Sequence, residues 1–336
     1  MREDYDIDFV LLWVDSKDPL WQEKKREYEK SGEFPYRSSE FRDYGALRYW
    51  FRGVEKFAGW VRKIHFVTDD QIPEWLNASS EKMNIVKHSD IMPEEILPVF
   101  NSNLIEAYLN RIPDLAEHFV YFNDDMFLTD RVGREYFFRQ GKPCDMLAFQ
   151  PVVANTENPV MTYIYTNNTM ALAKHFDKRE NIKRQPRAYF KIGYPPLYFF
   201  YNILDSMIPR FTGFFTAHNP SPMLKSVMDE VWGEEPQAFE KMKNARFRSS
   251  GDVSQYLFRE WAKLSGRFTP ANTLRGFRYV STDENCDRIC SFITGQKQKV
   301  ICINDSGTKA EIEDMSRALT GAFEKILPER SSFELK

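Results

Sequence analysis

The sequence has few cysteines and no long apolar run. Its 336 residues include only Cys144, Cys286, Cys290 and Cys302, which are too few and too scattered for a disulfide framework. No apolar stretch approaches the roughly 20 residues of a membrane-spanning helix. The apolar run 9–14 follows acidic residues, unlike the hydrophobic segment of a signal peptide. We therefore expect the chain to work in the reducing cytoplasm.

An excess of charge of either sign is also missing. The 46 Lys and Arg residues against 49 Asp and Glu give a net charge of −3, so no nucleic-acid partner is expected. The sequence lacks G-x-G-x-x-G and G-x-x-x-x-G-K-[ST], which argues against dinucleotide-dependent dehydrogenases and P-loop nucleotide hydrolases. Cys286, Cys290 and Cys302 could be three zinc ligands, but no C-x-x-C pair or nearby histidine completes a set of four.

The first 130 residues alternate between strand and helix patterns. Apolar runs of strand length at 7–14, 64–68, 85–87 and 119–122 are separated by amphipathic stretches, of which 47–58 is the clearest. Strands separated by helices predict an α/β fold with a mainly parallel, Rossmann-like sheet covered by helices on both faces.

Residues 131–215 have a different character, being less periodic and rich in Asn, Pro and aromatic residues. We interpret them as a cap inserted between core segments 1–130 and 216–336. Their aromatic run 194–201 is interpreted mainly as core, with a sugar platform or a membrane contact as the alternatives.

Acidic residues follow all four predicted strands of the first half. They are Asp15, Asp69 with Asp70, Asp90, and the run Asn123-Asp124-Asp125. In a parallel sheet these strand ends lie on one edge, where ligands bind. A divalent cation would relieve the repulsion between carboxylates gathered there. The alternative for each single Asp is a loop or helix cap.

Three further positions could carry chemistry. Glu106 follows Asn103 by three residues, so a capping box and a functional role are equally consistent with it. His218 precedes a predicted helix that begins near Met223, and imidazole is the commonest general base near neutral pH. Arg248 could clamp phosphate in a bidentate manner, with surface charge as the alternative. Asn304 and Asp305 stand at a strand-to-helix junction that suits an anion, a cation or a sugar hydroxyl.

Segments that cover well over half of the chain resemble, in order, the blocks of the Stealth family, and only residues from about 130 to 215 lack a clear match. That family includes bacterial capsule phosphotransferases and the catalytic chain of the lysosomal-enzyme N-acetylglucosamine-1-phosphotransferase. The matching segments are the stretch from Ile7-Asp8-Phe9-Val10 through Trp13-Val14-Asp15-Ser16-Lys17-Asp18-Pro19, the stretch from Phe41-Arg42-Asp43 to Asn123-Asp124-Asp125, Ala217-His218-Asn219-Pro220 with 248–252, and the stretch from Cys302-Ile303-Asn304-Asp305 to Phe333-Glu334.

The resemblance implies a glycosyltransferase-A-like sheet and a defined reaction. Such enzymes move a hexose-1-phosphate or N-acetylhexosamine-1-phosphate from a UDP-sugar to a glycan hydroxyl. The product is a phosphodiester of capsular or cell-surface polysaccharide, and UMP leaves. The resemblance also implies Mg²⁺, with Mn²⁺ as the alternative, and an oligosaccharide or lipid-linked acceptor. A lipid-linked acceptor would be compatible with peripheral association of the protein with the inner face of the membrane.

The active-site positions implied by the resemblance are Glu106, Asp125, His218 and Arg248. Phosphoryl transfer requires positioning and cations more than covalent work by protein groups. We expect Asp124 and Asp125 to hold the metal, Arg248 and Arg42 to neutralise phosphate, and Asp15, Asp18, Asn304 and Asp305 to contact the donor. His218 is expected to accept the acceptor's proton, with Glu106 as the rival base.

One position departs from the family pattern: Ala46 stands where many relatives carry Glu. Two alternatives to the phosphotransferase remain. One is a metal-dependent glycosyltransferase that releases UDP, and the other is a glycan-binding protein without catalytic activity.

Overall fold

A computed structural model describes residues 5–29, 34, 44–156, 159–305 and 309–335. The strands are β1 (Ile7–Leu12), β2 (Ile64–Thr68), β3 (Met83–Lys87), β4 (His118–Phe122), β5 (Met126–Leu128), β6 (Phe138–Arg139), β7 (Lys142–Asp145), β8 (Ser221–Leu224), β9 (Thr269–Pro270), β10 (Phe277–Ser281) and β11 (Val300–Asn304). The helices are α1 (Pro19–Tyr28), α2 (Leu47–Phe57), α3 (His88–Ile91), α4 (Ser102–Ala107), α5 (Arg134–Phe137), α6 (Pro159–His175), α7 (Lys178–Arg184), α8 (Pro186–Tyr189), α9 (Pro196–Ser206), α10 (Lys225–Glu234), α11 (Pro236–Lys243), α12 (Tyr256–Ser265), α13 (Cys286–Thr294) and α14 (Lys309–Ile326).

A five-stranded sheet with the order β3-β2-β1-β4-β8 lies at the centre of the molecule. The first four strands run parallel, and β8 pairs antiparallel with β4 at one edge. β1, β2 and β4 are almost entirely buried, which is why they read as continuous apolar runs rather than as alternating patterns. The predicted mixed α/β fold with a mostly parallel sheet is confirmed.

A second sheet, of order β10-β11-β5, lies beside the strand that ends at Phe122. β5 runs antiparallel to β11, and this register places Cys302 opposite Met126. The amide of Ile303 also donates to the carbonyl of Asp125, at 2.8 Å. The loop 123–125 is therefore held between β4 and β11.

Two local predictions near the candidate residues are wrong. Asn101, not Asn103, caps α4, because its side-chain oxygen accepts from the Asn103 amide at 3.1 Å. The helix then ends at Ala107 and a 3₁₀ turn covers Leu109–Arg111, so Glu106 belongs to no capping box. Met223 lies in β8, because its segment pairs with β4, and the following helix begins only at Lys225.

The segment predicted as a cap contributes α6, α7, α8 and α9. Asn181 of α7 donates to the Leu264 carbonyl at 2.7 Å, and Asn167 of α6 donates to the Ser250 and Asp252 carbonyls at 2.8 Å each. These bonds tie the segment to α12 and to the loop before it. The division of the chain into core and cap stays a prediction. Within the described residues, no helix is both long and apolar enough to cross a bilayer.

A chain of buried polar groups joins the first three parallel strands. Asp8 of β1 is fully buried and accepts from Arg62 at 2.6 and 2.8 Å, from the Ala116 amide at 2.8 Å and from His65 Nε2 at 2.9 Å. Asn84 of β3 lies 2.8 Å from the other ring nitrogen of His65. Burial alone would raise the pKa of Asp8, but the hydrogen bonds from His65 and Arg62 lower it below its ordinary value.

We expect Asp8→Asn to lower the free energy of unfolding by about 3 kcal/mol, because it leaves Arg62 and His65 facing a neutral group in the core. The matched control is Asp114→Asn. Asp114 contacts the same Arg62 at 3.2 Å, but its side chain is 59% exposed and solvent screens the pair, so the expected loss is much smaller. Urea unfolding at pH 7 measures both values. Equal losses in the two variants would show that the buried Asp8–Arg62 pair contributes no more than the exposed Asp114–Arg62 pair.

Candidate active site

A cleft of about 450 Å³ opens where β1 and β4 end. The chain places β2 and β3 on one side of β1 and β4 on the other, so the strand order switches sides between β1 and β4. Ligands of open α/β sheets bind at such a switch point. The cleft is lined by Trp13 after β1, by residues 123–125 after β4, and by residues at the ends of α4, α12 and β11. Its volume lies within the range of roughly 300–1,000 Å³ that is typical of small-molecule sites.

Most of the residues predicted for the site line this one cleft. The seven that meet there are Glu106, Asp124, Asp125, His218, Arg248, Asn304 and Asp305. Asp15 and Asp18 are not among its lining residues, and Arg42 lies outside the described residues. Ala46, the position that departs from the family pattern, also lines the cleft and stands directly before α2.

Local structure accounts for the strand-end acids outside the cleft. Asp18 caps α1 by accepting from the Leu20 amide at 2.8 Å, and it also accepts from Gln71 at 3.1 Å. The hydrogen bond from Gln71 lowers the pKa of Asp18. Asp15 accepts from the Lys17 amide at 2.8 Å, and Asp70 pairs with Lys87 at 2.6 Å. These contacts support loop and cap roles, so the predicted donor contacts of Asp15 and Asp18 gain no support.

Asp125 is the point where three chain segments meet. Its Oδ2 atom lies 3.3 Å from His218 Nε2 and 3.3 Å from the Cys302 sulfur of β11. Its Oδ1 atom is buried and has no hydrogen-bond partner among the described residues. Asn123 Oδ1, which belongs to the same strand-end loop, is in the same situation. Oxygen atoms without partners in an acidic cleft fit a bound cation.

The donor set of the cleft suits a hard divalent cation. Among the described residues that line it, Glu106, Asp124, Asp125 and Asp305 bring four carboxylates, against one guanidinium from Arg248. Carboxylate and amide oxygens are the ligands that Mg²⁺ prefers, so Asp124 and Asp125, with Asn123, are the residues that could hold it.

The zinc set considered from the cysteines is not formed. Within the described residues, the one group of three or more potential ligands comprises Asp125, His218 and Cys302, whose ligand atoms lie within 4.8 Å of one another. Cys286 and Cys290 lie on α13 and do not belong to it. Burial, together with the neighbouring Asp125, raises the pKa of Cys302 well above its ordinary value. A protonated thiol is a poor ligand for zinc.

Glu106 is a buried carboxyl group that faces the cleft. Its side chain is 4% exposed, accepts from Tyr121 Oη at 3.0 Å, and lies 3.4 Å from the Gln255 amide. Burial raises the pKa of Glu106 to about 7, although Tyr121 and Gln255 act in the opposite direction. A pKa near neutrality suits a group that gives and accepts protons.

His218 is held by contacts on both ring nitrogens. Its Nδ1 lies 3.0 Å from Tyr256 Oη, and its Nε2 faces Asp125. Burial would lower the pKa of His218, but the charge and hydrogen bond of Asp125 outweigh it and raise the pKa. The imidazole is 32% exposed, so it remains accessible from the cleft.

Arg259 of α12 fixes the loop that carries His218. Its guanidinium forms a bidentate pair with Asp145 at 2.9 and 3.1 Å and donates to the Ala217 carbonyl at 3.1 Å and to Ser221 Oγ at 3.0 Å. Sequence reasoning missed Arg259 and Tyr256, and it considered Cys302 only as a zinc ligand. A buried arginine looks like a surface residue in sequence, and Cys302 acquires its importance only from the pairing of β5 and β11.

A second, smaller cavity of about 100 Å³ adjoins the cleft and shares Asp124 and Arg248 with it. Trp21, Phe100 and His88 contribute to its wall. His88 is 6% exposed, and both of its ring nitrogens lack hydrogen-bond partners within the described part of the chain. Burial lowers the pKa of His88 to about 4, so the ring is neutral at pH 7.

The fold and the cleft together define a class, namely a mixed α/β enzyme whose acid-lined site at the strand ends suits a cation and a phosphate-bearing substrate. Residues 5–33 match conserved region 1 of the Stealth proteins, and residues 40–145 match conserved region 2. The chain belongs to the Stealth family, and it is a phosphotransferase.

The similarity to characterised relatives extends over the whole chain. The receptor polysaccharide phosphotransferase WefC of Streptococcus gordonii is 37% identical over 98% of this chain and 99% of its own length. The capsular polysaccharide phosphotransferase WcwK of Streptococcus pneumoniae is 35% identical over 98% of this chain and 99% of its own. Among solved structures, mouse xyloside xylosyltransferase 1 is 11% identical, with a TM-score of 0.35 over 92% of this chain and 99% of that one. That likeness is too weak for a comparison of the two sites.

The raised pKa of Glu106 predicts a specific pH dependence of stability. A carboxyl group whose pKa rises from 4.5 to about 7 on folding contributes stability below pH 4.5 that is lost as the pH rises through 7. The free energy of unfolding of the wild-type protein should therefore contain a decrease of up to about 3 kcal/mol from Glu106 between pH 4.5 and pH 8. Glu106→Gln should abolish this decrease. Urea unfolding with a chelator present measures it.

Glu81→Gln, at an exposed position, is the matched control and should keep the pH dependence of the wild-type protein. If Glu106→Gln followed the wild-type pH profile as well, Glu106 would carry no raised pKa.

Proposed function

We propose that the protein transfers a sugar-1-phosphate from a UDP-sugar to a hydroxyl of a glycan during synthesis of a capsular or other cell-surface polysaccharide. The observation that carries this proposal is the convergence of Asp125, His218, Arg248 and Glu106 in one cleft at the strand ends. Full-length relatives named as polysaccharide phosphotransferases support the same reaction class. The acceptor is proposed to be an oligosaccharide or a lipid-linked glycan.

The bonds that change are those at the phosphorus that carries the sugar. The acceptor oxygen forms a new bond to this phosphorus. The bond from this phosphorus to the oxygen that links the two phosphorus atoms breaks, so UMP leaves. The acceptor's proton passes to a protein base. The charge on the phosphoryl oxygens must be neutralised, and the reacting groups must be held in line.

Arg248 and the acidic loop are the groups proposed to manage phosphate charge. Arg248 lines both cavities, so its guanidinium can reach a diphosphate that spans them. Asp124 and Asp125 would hold Mg²⁺, with Mn²⁺ as the alternative, which when bound neutralises charge on the diphosphate.

His218 is the proposed base. Its contact with Asp125 would stabilise the imidazolium that forms when Nε2 accepts the acceptor's proton. Tyr256 on the opposite ring nitrogen fixes the plane of the ring. Glu106 remains the rival, since its pKa of about 7 also suits proton transfer and it lines the same cleft.

The small cavity is the proposed position of the uracil ring. It lies beside β1 and β4 and is walled by aromatic side chains, so it suits one flat ring. A neutral imidazole offers one donor and one acceptor. Nδ1 of His88 lies 4.0 Å from Asp69 Oδ1, so Nε2 is the ring nitrogen proposed to pair with one edge atom of a pyrimidine, which leaves the diphosphate beside Asp124 and Arg248.

We expect purified protein with Mg²⁺, a UDP-sugar panel and a glycan acceptor set to release UMP and form a phosphodiester, as measured by chromatography and ³¹P NMR. The rival glycosyltransferase attacks the anomeric carbon instead and releases UDP with a simple glycoside. Release of UDP, or no turnover across the whole panel, would refute the proposal.

Variants of the two candidate bases complete this test. His218→Ala should lower turnover by about 10²–10⁴-fold while the KM for the donor changes little, because a general base acts in the transition state. If His218→Ala kept near-normal turnover and Glu106→Gln did not, the base would be Glu106.

His88→Leu should weaken UMP binding about tenfold, because a buried hydrogen bond to the base is lost. Calorimetric titration measures the affinity for UMP and, separately, for pyrophosphate. Pyrophosphate affinity should stay at the wild-type value in His88→Leu, whereas Arg248→Ala should weaken both ligands. Equal weakening of the two ligands by His88→Leu would argue against a base site at His88.

A further inference from the structure

α9 exposes its apolar side chains and buries its polar ones. Asn202 is fully buried and Asp205 is 3% exposed, although both are polar. The apolar residues of the opposite side recur at three- and four-residue steps, which places them on one stripe of the helix. They form what we call the α9 face: Leu197, Phe200, Ile203, Leu204 and Met207, which are 54%, 53%, 42%, 42% and 70% exposed.

Buried hydrogen bonds fix this orientation. Asn202 donates to the carbonyls of Leu147 at 2.9 Å and Tyr189 at 2.6 Å, and it accepts from the Phe149 amide at 2.7 Å. Asp205 pairs with the buried Lys178. A rotation of α9 that buried its apolar face would leave these polar groups unpaired, at a cost of roughly 1–3 kcal/mol for each group. The α9 face therefore stays exposed in the monomer.

The chain around α9 is strongly basic. Residues 178–210 contain seven Lys and Arg residues and two acidic residues, a net charge of +5 in a protein whose total is −3. One of the two acids, Asp205, is used by Lys178. Arg179, Lys183, Arg187 and Arg210 are exposed. An exposed apolar helix face within a cationic segment is the combination that binds the interface of anionic membranes.

We propose that the α9 face docks the protein on an anionic lipid surface. Charge favours this partner over a second copy of the chain, because two copies meeting at the α9 face would bring two segments of +5 together. The inference deepens the proposed function, on which it rests, since a docked enzyme meets a lipid-linked acceptor in the plane of the membrane.

The position of α9 connects this surface with the active site. Tyr198 of α9 packs against Phe215, with ring centroids 4.0 Å apart. Phe215 stands three residues before His218 in the loop that α12 holds. The docking helix is thus backed by the chain segment that carries the proposed base.

Vesicle flotation tests the proposal. The wild-type protein should bind vesicles that contain phosphatidylglycerol and should bind pure phosphatidylcholine vesicles much more weakly. Phe200→Glu should reduce binding about tenfold or more, because it places a charge in the apolar contact. The matched control, Leu20→Glu, also replaces an exposed apolar side chain with a glutamate, on α1 at a position that is 69% exposed, and it should bind as the wild type does. Arg210→Glu should weaken binding and reduce its dependence on salt.

Several results would overturn the docking proposal. These are equal binding by Phe200→Glu and Leu20→Glu, equal binding to neutral and anionic vesicles, or self-association in sedimentation that Phe200→Glu removes while vesicles stay unbound. A turnover assay with a water-soluble acceptor separates the two proposals, because Phe200→Glu should keep wild-type UMP release. Vesicle binding without UMP release would refute the proposed reaction and leave the docking surface supported.

Discussion

The buried guanidinium of Arg259 is the contact on which the arrangement of the active site depends. It ties α12 to Asp145 of β7 and to the two ends of the loop 217–221. The N-terminal end of the same helix contacts the two candidate bases, since Tyr256 contacts His218 and the amide of the N-cap residue Gln255 faces Glu106. One buried ion pair thereby sets the positions of two groups that lie more than a hundred residues apart in sequence.

Charge inside the cleft is arranged by burial and by strand pairing. Burial raises the pKa of Glu106 to about 7, whereas the contact with Asp125 raises the pKa of the His218 imidazole. The two groups thus share a cleft but differ in what perturbs them. Such a separation of environments suits a site that would combine a metal ion, a guanidinium facing phosphate and a base at neutral pH.

The two surfaces proposed for ligands follow from residues that break the usual rule of burial. His88 is a polar ring buried without hydrogen-bond partners in the described chain, and the α9 face is apolar but exposed. Each of these features lowers the stability of the free protein unless a ligand or a partner surface contacts it. A nucleobase in the small cavity and a lipid surface against α9 would each supply the missing contact.

The sequence by itself determined the strands β1, β2 and β4, because they are buried on both sides and their residues are therefore mostly apolar. It also indicated Asp124, Asp125, His218 and Arg248, since these residue types follow strands or stand in family motifs. It could not separate the acids of the cleft from Asp15 and Asp18, whose capping bonds depend on local backbone geometry. Tertiary structure alone decided the placing of Cys302, Arg259 and His88, because the residues around each come from chain segments that are distant in sequence.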